Sequence, residues 1–136
     1  METKYNHRVK YYETDAMKMT HHSNYVRWME ESRIDFMDKL GFSYKKLESF
    51  DIASPVLSYT CEIKHSTYFD DIVEIIPKVV AYNSVRLKIQ YTMTVNDLLV
   101  ATGETNHCFV NQKGVPIRLN KDCPELDEKL ALCLDE

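Results

Sequence analysis

The hydrophobic pattern changes its period along the chain, and the change separates one long helix from a run of strands. Between residues 25 and 40, apolar or small positions recur at spacings of three and four, which places them on one face of an α-helix. That stripe consists of Tyr25, Met29, Ser32, Phe36 and Leu40. Ser23 or Asn24 offers a side-chain oxygen to cap the first turn, and Gly41 suits a left-handed position after the last turn. The pattern predicts a helix over residues 23–40.

After Pro55, apolar and polar residues alternate with a period of two, which is typical of strands with one buried face. We predict strands at residues 57–63, 72–82, 85–95 and 98–110, an extended segment at 115–119, and a first strand at 6–12. The pairs Asn83-Ser84 and Asn96-Asp97 are short turn signals, so the strands around them should form antiparallel hairpins. Pro77 indicates a bulge or a sheet edge. Pro124 opens a short helix with a stripe of Leu126, Leu130 and Leu134.

These elements favour an α+β fold. One helix with a long apolar face and several strands with one apolar face each are best buried if the antiparallel sheet curls around the helix. The chain has 136 residues, and half of that length would make a poor core. We therefore expect a single domain over residues 1–136.

Composition and charge narrow the class of protein. The chain is 44% hydrophobic and 28% charged, as globular proteins are, and its net charge of −4 without a polybasic run does not favour nucleic acid. No segment has the ~18 apolar residues of a membrane span, and the N-terminus lacks the apolar core of a signal peptide. We therefore expect a cytoplasmic protein with no membrane span. The cysteines form no C-x-x-C pair and should be reduced thiols: Cys61, Cys108, Cys123 and Cys133.

Titratable residues collect just before the predicted helix. Backbone N–H groups around His22, Ser23 and Asn24 should be unpaired at the positive end of the helix dipole, where they can polarise a carbonyl oxygen. Glu13 or Asp15 could then attack that carbonyl or direct a water at it, with a histidine orienting either partner. A thiolate with a pKa of ~8.5 leaves without strong acid assistance, so this arrangement suits a thioester better than an amide.

Other chemistries lack their motifs. Adjacent His21 and His22 have no H-E-x-x-H context, so no metal site is expected. No G-x-S-x-G elbow supports serine catalysis. The chain has only three glycines and no phosphate-binding loop, and we expect no cofactor.

The run YYETDAM at residues 11–17, continued by HHSNYVRWMEESR at 21–33, resembles a known signature. It is similar to the 4-hydroxybenzoyl-CoA thioesterase-like branch of the hotdog-fold acyl-CoA thioesterases, including the Tol-Pal-associated bacterial members. Weaker likeness continues in TYFDD at 67–71, CFV at 108–110 and KGVPIRL at 113–119. The resemblance implies a hotdog fold, with an antiparallel sheet wrapped on one long helix. It also implies a homodimer or homotetramer whose active sites lie between subunits.

The resemblance implies a reaction and roles for individual residues. The reaction is hydrolysis of an acyl-CoA, with a short-chain or aromatic acyl group, to the free acid and CoA, so that coenzyme A is part of the substrate. Asp15 matches the catalytic aspartate, as nucleophile or general base. Tyr11 and His22 match the accompanying tyrosine and histidine, and the His22 position supplies the N–H that polarises the thioester carbonyl. Ser23 and Asn24 lie beside them and are expected to contact substrate.

The chain also departs from this family, and alternatives stay open. Lys18, Met19 and Thr20 stand where the family usually has a small residue, often glycine, followed by two aliphatic residues. Another hotdog branch carries its carboxylate on the helix, which leaves Glu30 or Glu31 as alternatives to Asp15. Two other functions are an acyl carrier protein thioesterase and a hotdog module that binds acyl-CoA without hydrolysing it.

Overall fold

The computed structural model describes residues 1–134, so the last two residues of the predicted domain lie outside the described part. The strands are β1 (Tyr5–Arg8), β2 (Val56–Ile63), β3 (Ile72–Tyr82), β4 (Arg86–Val95) and β5 (Leu98–Cys108). The helices are α1 (Ser23–Leu40), α2 (Tyr44–Ser49), α3 (Leu119–Asp122) and α4 (Pro124–Leu134), with a short 3-10 helix at Tyr11–Glu13. The predicted α+β class is confirmed.

The five strands form one antiparallel sheet in the order β1-β3-β4-β5-β2. Both predicted hairpin turns are present, and residues in them adopt left-handed backbone: Ser84 between β3 and β4, and Asn96 and Asp97 between β4 and β5. Two consecutive residues with positive φ match the twist of a tight hairpin. The turn signals therefore fix which strands are neighbours in the centre of the sheet.

The first strand and the extended segment at 115–119 differ from their predictions, and β5 ends at Cys108, two residues before the predicted end. β1 ends at Arg8 and does not reach residue 12, because the chain turns into the 3-10 helix and the Lys10 N–H bonds to the Glu13 carboxylate. Residues 115–119 form no strand and make only an isolated bridge between Val110 and Pro116. Proline has no N–H to donate, which limits a ladder there.

Pro77 lies within β3 without interrupting it. β1 pairs only with residues 72–75 of β3, so Pro77 has a strand neighbour on the β4 side alone. A missing N–H is tolerated on such an open edge. The register of β3 against β4 shifts further along, between Val79 and Ala81. Of the two alternatives that Pro77 indicated, the open edge is the one observed at this residue, and the bulge lies elsewhere in β3.

α1 buries the predicted stripe, and every residue in that stripe is buried. Gly103 on β5 allows the close approach, since a Cβ added there would stand 2.5 Å from Met29 Sδ and 3.0 Å from the Thr60 carbonyl oxygen. Gly41 ends the helix with φ +96°, as predicted. α4 also packs on the sheet, against β3. The wrapping of the sheet around α1 as a single central helix stays a prediction.

The buried face of α4 differs in one position from the predicted stripe. Leu126 and Leu130 are buried, but Leu134 is exposed and Cys133 is buried in its place. Position 133 returns to the angular position of Leu126 after two turns, whereas 134 lies about 100° further round. All four cysteines are free thiols, as expected. None of the helices within residues 1–134 is long and apolar enough to cross a membrane.

A directed chain of hydrogen bonds crosses the core beneath α1. Arg33 donates to the Tyr91 hydroxyl at 3.1 Å. The Thr105 hydroxyl lies 2.8 Å from the Tyr91 hydroxyl on one side and 2.8 Å from His107 Nε2 on the other. The other ring nitrogen of His107 faces the Ser54 carbonyl oxygen at 3.4 Å. Burial, and then the positive charge of Arg33, lower the pKa of His107 to about 4. The chain therefore holds a neutral histidine in the core.

We expect His107 to make the fold sensitive to acid. The unfolded chain takes up a proton near pH 6.5, whereas folded His107 resists it until about pH 4, so stability present above 6.5 is lost as the pH falls. The loss attributable to His107 is about 3 kcal/mol. Urea unfolding at several pH values checks this. The free energy of unfolding should depend less on pH in His107→Asn than in the wild type, whereas substitution of the exposed His65 by Asn should leave the pH dependence unchanged. Equal slopes for wild type and His107→Asn would contradict the assignment.

Candidate active site

The segment between the 3-10 helix and α1 forms a small ladder. The Glu13 carbonyl accepts the His21 N–H (2.8 Å), Thr14 and Thr20 form a bridge, and the Asp15 N–H donates to the Met19 carbonyl (2.8 Å). Asp15 is therefore two residues, or about 7 Å, along this ladder from the Glu13–His21 pair. The ladder brings the acidic residues and the start of α1 into one local structure, as the sequence suggested.

Asp15 has one carboxylate oxygen held and one open. Oδ1 accepts the Met17 N–H at 2.8 Å and the Met19 N–H at 3.3 Å, which fixes the side-chain angle. Within residues 1–134, Oδ2 accepts no hydrogen bond, and the residue is exposed. A carboxylate oriented by its own loop, with a free oxygen, is suited to attack a carbonyl carbon or to bind a water.

Fewer backbone N–H groups are unpaired at the start of α1 than the sequence predicted. The Asn24 N–H bonds to the His21 carbonyl (3.0 Å), and the Ser23 N–H bonds to the His21 ring nitrogen Nδ1 (3.2 Å). Among the described residues, only the His22 N–H of the three expected donors stays unpaired. His22 is the residue that immediately precedes the helix. One donor, not three, is therefore available for a carbonyl oxygen.

The expected capping by Ser23 or Asn24 is wrong. The Ser23 hydroxyl lies 2.8 Å from His21 Nδ1. The Asn24 amide is buried and donates to the carbonyls of Glu13 (2.9 Å) and His21 (3.2 Å). Both side chains therefore hold the approach to the helix and leave its first turn uncapped. Their contact with substrate stays a prediction.

Two of the three carboxylate alternatives to Asp15, Glu13 and Glu31, both contact His7. Glu13 is buried, and its carboxylate faces His7, Lys10 and Trp28, so it is not open to a substrate. Glu31 Oε2 lies 3.4 Å from His7 Nδ1. Neither His7 nor Trp28 was singled out from the sequence, because a strand histidine and a helix tryptophan carry no signal of such a contact.

Glu30 lies in a groove of about 550 Å³ between α1 and β2. The groove is lined by apolar residues of both elements, including Val26 and Leu57, and by Arg33. Glu30 is the one helix carboxylate in this lining, so it stays the open alternative to Asp15. The groove contains no cluster of ligands for a metal, and no group of three suitable side chains occurs within residues 1–134.

Tyr11 and His22 both present exposed rings. Tyr11 meets Phe69 edge to face, with ring centroids 5.5 Å apart, and the Lys18 ammonium lies 5.5 Å from the Tyr11 ring centroid. The His22 ring stacks on His21 at 4.3 Å. Neither side chain makes a hydrogen bond to Asp15 in the described part of the chain. Their roles in positioning reactants stay predictions.

Lys18 occupies a left-handed backbone conformation that glycine adopts more readily than lysine. Its φ is +65°, and its N–H closes the turn by donating to the Asp15 carbonyl at 2.9 Å. A side chain with a Cβ is strained in this left-handed region. The turn that orients Asp15 therefore lowers the stability of the fold through the strained backbone of Lys18.

The chain matches a known family over most of its length. The family described as the Thioesterase-like superfamily matches residues 9–131. A protein of Aquifex aeolicus (strain VF5), which carries the provisional name of an esterase, is 33% identical over 122 residues, covering 90% of this chain and 94% of the relative.

Solved structures share the fold. A DHNA-CoA thioesterase from Staphylococcus aureus superposes with a TM-score of 0.92 at 30% identity, over 96% of this chain and 89% of that chain. The protein SAV2348 from Staphylococcus aureus, solved in complex with CoA, superposes with a TM-score of 0.90 at 18% identity, over 99% and 85% of the two chains. At that identity the second likeness shows the fold alone.

We expect Lys18→Gly to raise the free energy of unfolding by about 1 kcal/mol, because glycine adopts φ +65° without the clash of a Cβ. Lys18→Ala is the matched control, since it removes the ammonium group but keeps the Cβ, and it should not reproduce the gain. Urea unfolding of the three proteins measures the effect. A gain in both variants would assign it to the lost charge instead of the backbone.

Proposed function

Because the chain belongs to the Thioesterase-like superfamily, we propose that it hydrolyses an acyl-CoA thioester to the free acid and CoA. The finer family assignment that we propose is the 4-hydroxybenzoyl-CoA thioesterase-like branch with its hotdog arrangement. The named relatives support the class of reaction, and one of them is called a DHNA-CoA thioesterase. A short-chain or aromatic acyl group is the substrate class that this proposal covers.

One observation carries the proposal: a single loop presents a carboxylate with a free oxygen and a free N–H at a helix start. The open Oδ2 of Asp15 attacks the acyl carbon, or takes a proton from the water that attacks it. Negative charge then develops on the carbonyl oxygen, and the His22 N–H at the positive end of α1 stabilises it.

Collapse of this intermediate breaks the carbon–sulfur bond and expels CoA as a thiolate. If Asp15 acted as the base, it returns to the thiolate the proton that it took from water, which restores the carboxylate. If Asp15 attacks directly, one water cleaves the resulting anhydride, restores the carboxylate and supplies the proton that the thiolate takes up. A thiolate of pKa ~8.5 needs little help to leave, so protonation need not accompany cleavage of the carbon–sulfur bond. Tyr11 and the His22 ring are proposed to position the reactants, with Ser23 and Asn24 beside them.

We also propose that two chains pair through β2. This strand is at one edge of the sheet, and among residues 1–134 it pairs with β5 alone. Its large apolar side chains are between 42% and 56% exposed: Val56, Leu57, Tyr59 and Ile63. An exposed, apolar edge strand is a template for pairing with another chain. A second copy would cover this edge and the groove beside it, and a tetramer would require a further contact.

Asp15→Asn should reduce thioester hydrolysis by a factor on the order of 10³ or more, because the amide can neither attack nor accept a proton. The amide oxygen can still accept the Met17 and Met19 N–H groups, so the loop should keep its shape. Release of the CoA thiol, followed with DTNB over a panel of short-chain and aromatic acyl-CoAs, measures the effect. Circular dichroism checks the fold.

Glu30→Gln provides the comparison for this experiment. Activity lost in Glu30→Gln but kept in Asp15→Asn would move the catalytic role to the helix carboxylate. Tight binding of acyl-CoA by the wild-type protein, without thiol release from any member of the panel, would favour a binding module.

The paired substitution Leu57→Glu and Tyr59→Glu should convert the dimer to single chains, because four like charges would face each other across the β2 edge. Light scattering after size-exclusion chromatography measures the mass, and thiol release should fall with it if the site lies between subunits. Leu132→Glu, on the exposed side of α4, is the control. A wild-type protein that is monomeric and fully active would overturn the proposed pairing.

A further inference from the structure

Glu13 is a buried carboxylate that three separate elements contact. Only 6% of the surface of Glu13 is exposed to solvent. Oε1 accepts the Lys10 N–H and lies 2.7 Å from His7 Nε2, and Oε2 accepts the Trp28 indole N–H at 2.8 Å. Burial raises the pKa of Glu13, but the hydrogen bonds from Lys10, His7 and Trp28 outweigh burial and hold the pKa below its ordinary value. The group is therefore an ionised acceptor that joins β1, the 3-10 helix and α1.

The backbone of the same residue holds the approach to α1. The Glu13 carbonyl accepts the His21 N–H at 2.8 Å and the buried Asn24 amide at 2.9 Å. His21 directly precedes the residue with the open N–H, and Asp15 follows Glu13 by two positions on the ladder. Glu13 therefore holds the backbone next to both the Asp15 carboxylate and the His22 N–H, although it contacts neither group directly.

His7 makes the side-chain attachment rigid. Its ring lies between two carboxylates, with Nε2 at Glu13 and Nδ1 3.4 Å from Glu31 Oε2. The ring also packs on Trp28 with centroids 4.7 Å apart. Rotation of Glu13 would break contacts to a strand and to a helix at once, so the carboxylate has one well-defined position.

We propose that Glu13 is a positioning residue, which sets the separation between the Asp15 carboxylate and the His22 N–H. This inference rests on the proposed function for its effect on rate. Displacement of reacting groups by about 1 Å can cost about 10²-fold in rate. Binding of CoA does not require that separation, so the effect belongs to kcat and not to KM.

Glu13→Gln tests the inference in the full chain. Either orientation of the new amide points an N–H group at one of the N–H groups that the carboxylate accepts, so the contact is broken with little change in volume. We expect kcat to fall by about 10- to 100-fold while KM changes by less than about threefold. The substrate is the acyl-CoA that the wild-type protein hydrolyses fastest.

Tyr82→Phe is the matched control for loss of stability. It removes the hydrogen bond from Tyr82 to Asp127, which joins β3 to α4, well away from the loop in sequence. Both variants should lower the free energy of unfolding, but only Glu13→Gln should lower kcat when both are assayed fully folded. An unchanged kcat in Glu13→Gln, or an equal fall in both variants, overturns the inference.

Amide hydrogen exchange separates this inference from the proposed reaction. In Glu13→Gln, residues 15–24 should exchange faster than in the wild type, and in Tyr82→Phe they should not. If the wild-type protein releases no thiol from any acyl-CoA, the proposed function fails, and the exchange comparison still decides the positioning role. Unchanged exchange of this segment in Glu13→Gln overturns the positioning role whatever the activity.

Discussion

The packing of α1 against the sheet determines where the candidate site lies. Met29 fits over Gly103, where no side chain stands between helix and strand, so the helix cannot slide along the sheet without a clash. The first turns are fastened as well, because the Tyr25 hydroxyl bonds to Thr67 at 2.9 Å and Trp28 bonds to Glu13. A helix fixed at its middle and its start presents its first N–H groups in one direction. The position of the His22 N–H is therefore a consequence of core packing.

Two carboxylates close together in sequence have opposite surroundings, and this separates their roles. Glu13 is buried, and N–H donors occupy both of its oxygens. Asp15 is exposed, with one oxygen used by its own turn and the other free. The environment, and not the residue type, decides which carboxylate of such a pair can react. Glu13 contributes by holding the ladder on which Asp15 stands.

The sequence predicted those features that depend on local patterns. The stripe of α1, the hairpin turns at Ser84 and Asn96, and the left-handed Gly41 all follow from spacing or from residue type. The contacts of His7 and the pairing of the Ser23 side chain with His21 depend on distant geometry or on one side-chain angle, which no periodic pattern records. The predicted length of β1 was wrong for the same reason. The hydrogen bond from the Lys10 N–H to the Glu13 carboxylate accompanies the end of the strand, and the residue pattern does not record it.

The open His22 N–H and the groove beside the β2 edge lie close together along α1. The groove beside the β2 edge is lined by Val26, which is four residues, or about one helical turn, beyond His22. A partner that covers the apolar edge of β2 would therefore come within about a turn of the open N–H. The Tyr11 and His22 rings are exposed in the single chain, so a second surface could close over them. The same burial that would stabilise a dimer would also shield the thioester from bulk water while leaving room for the reacting water, so assembly and catalysis would depend on one interface.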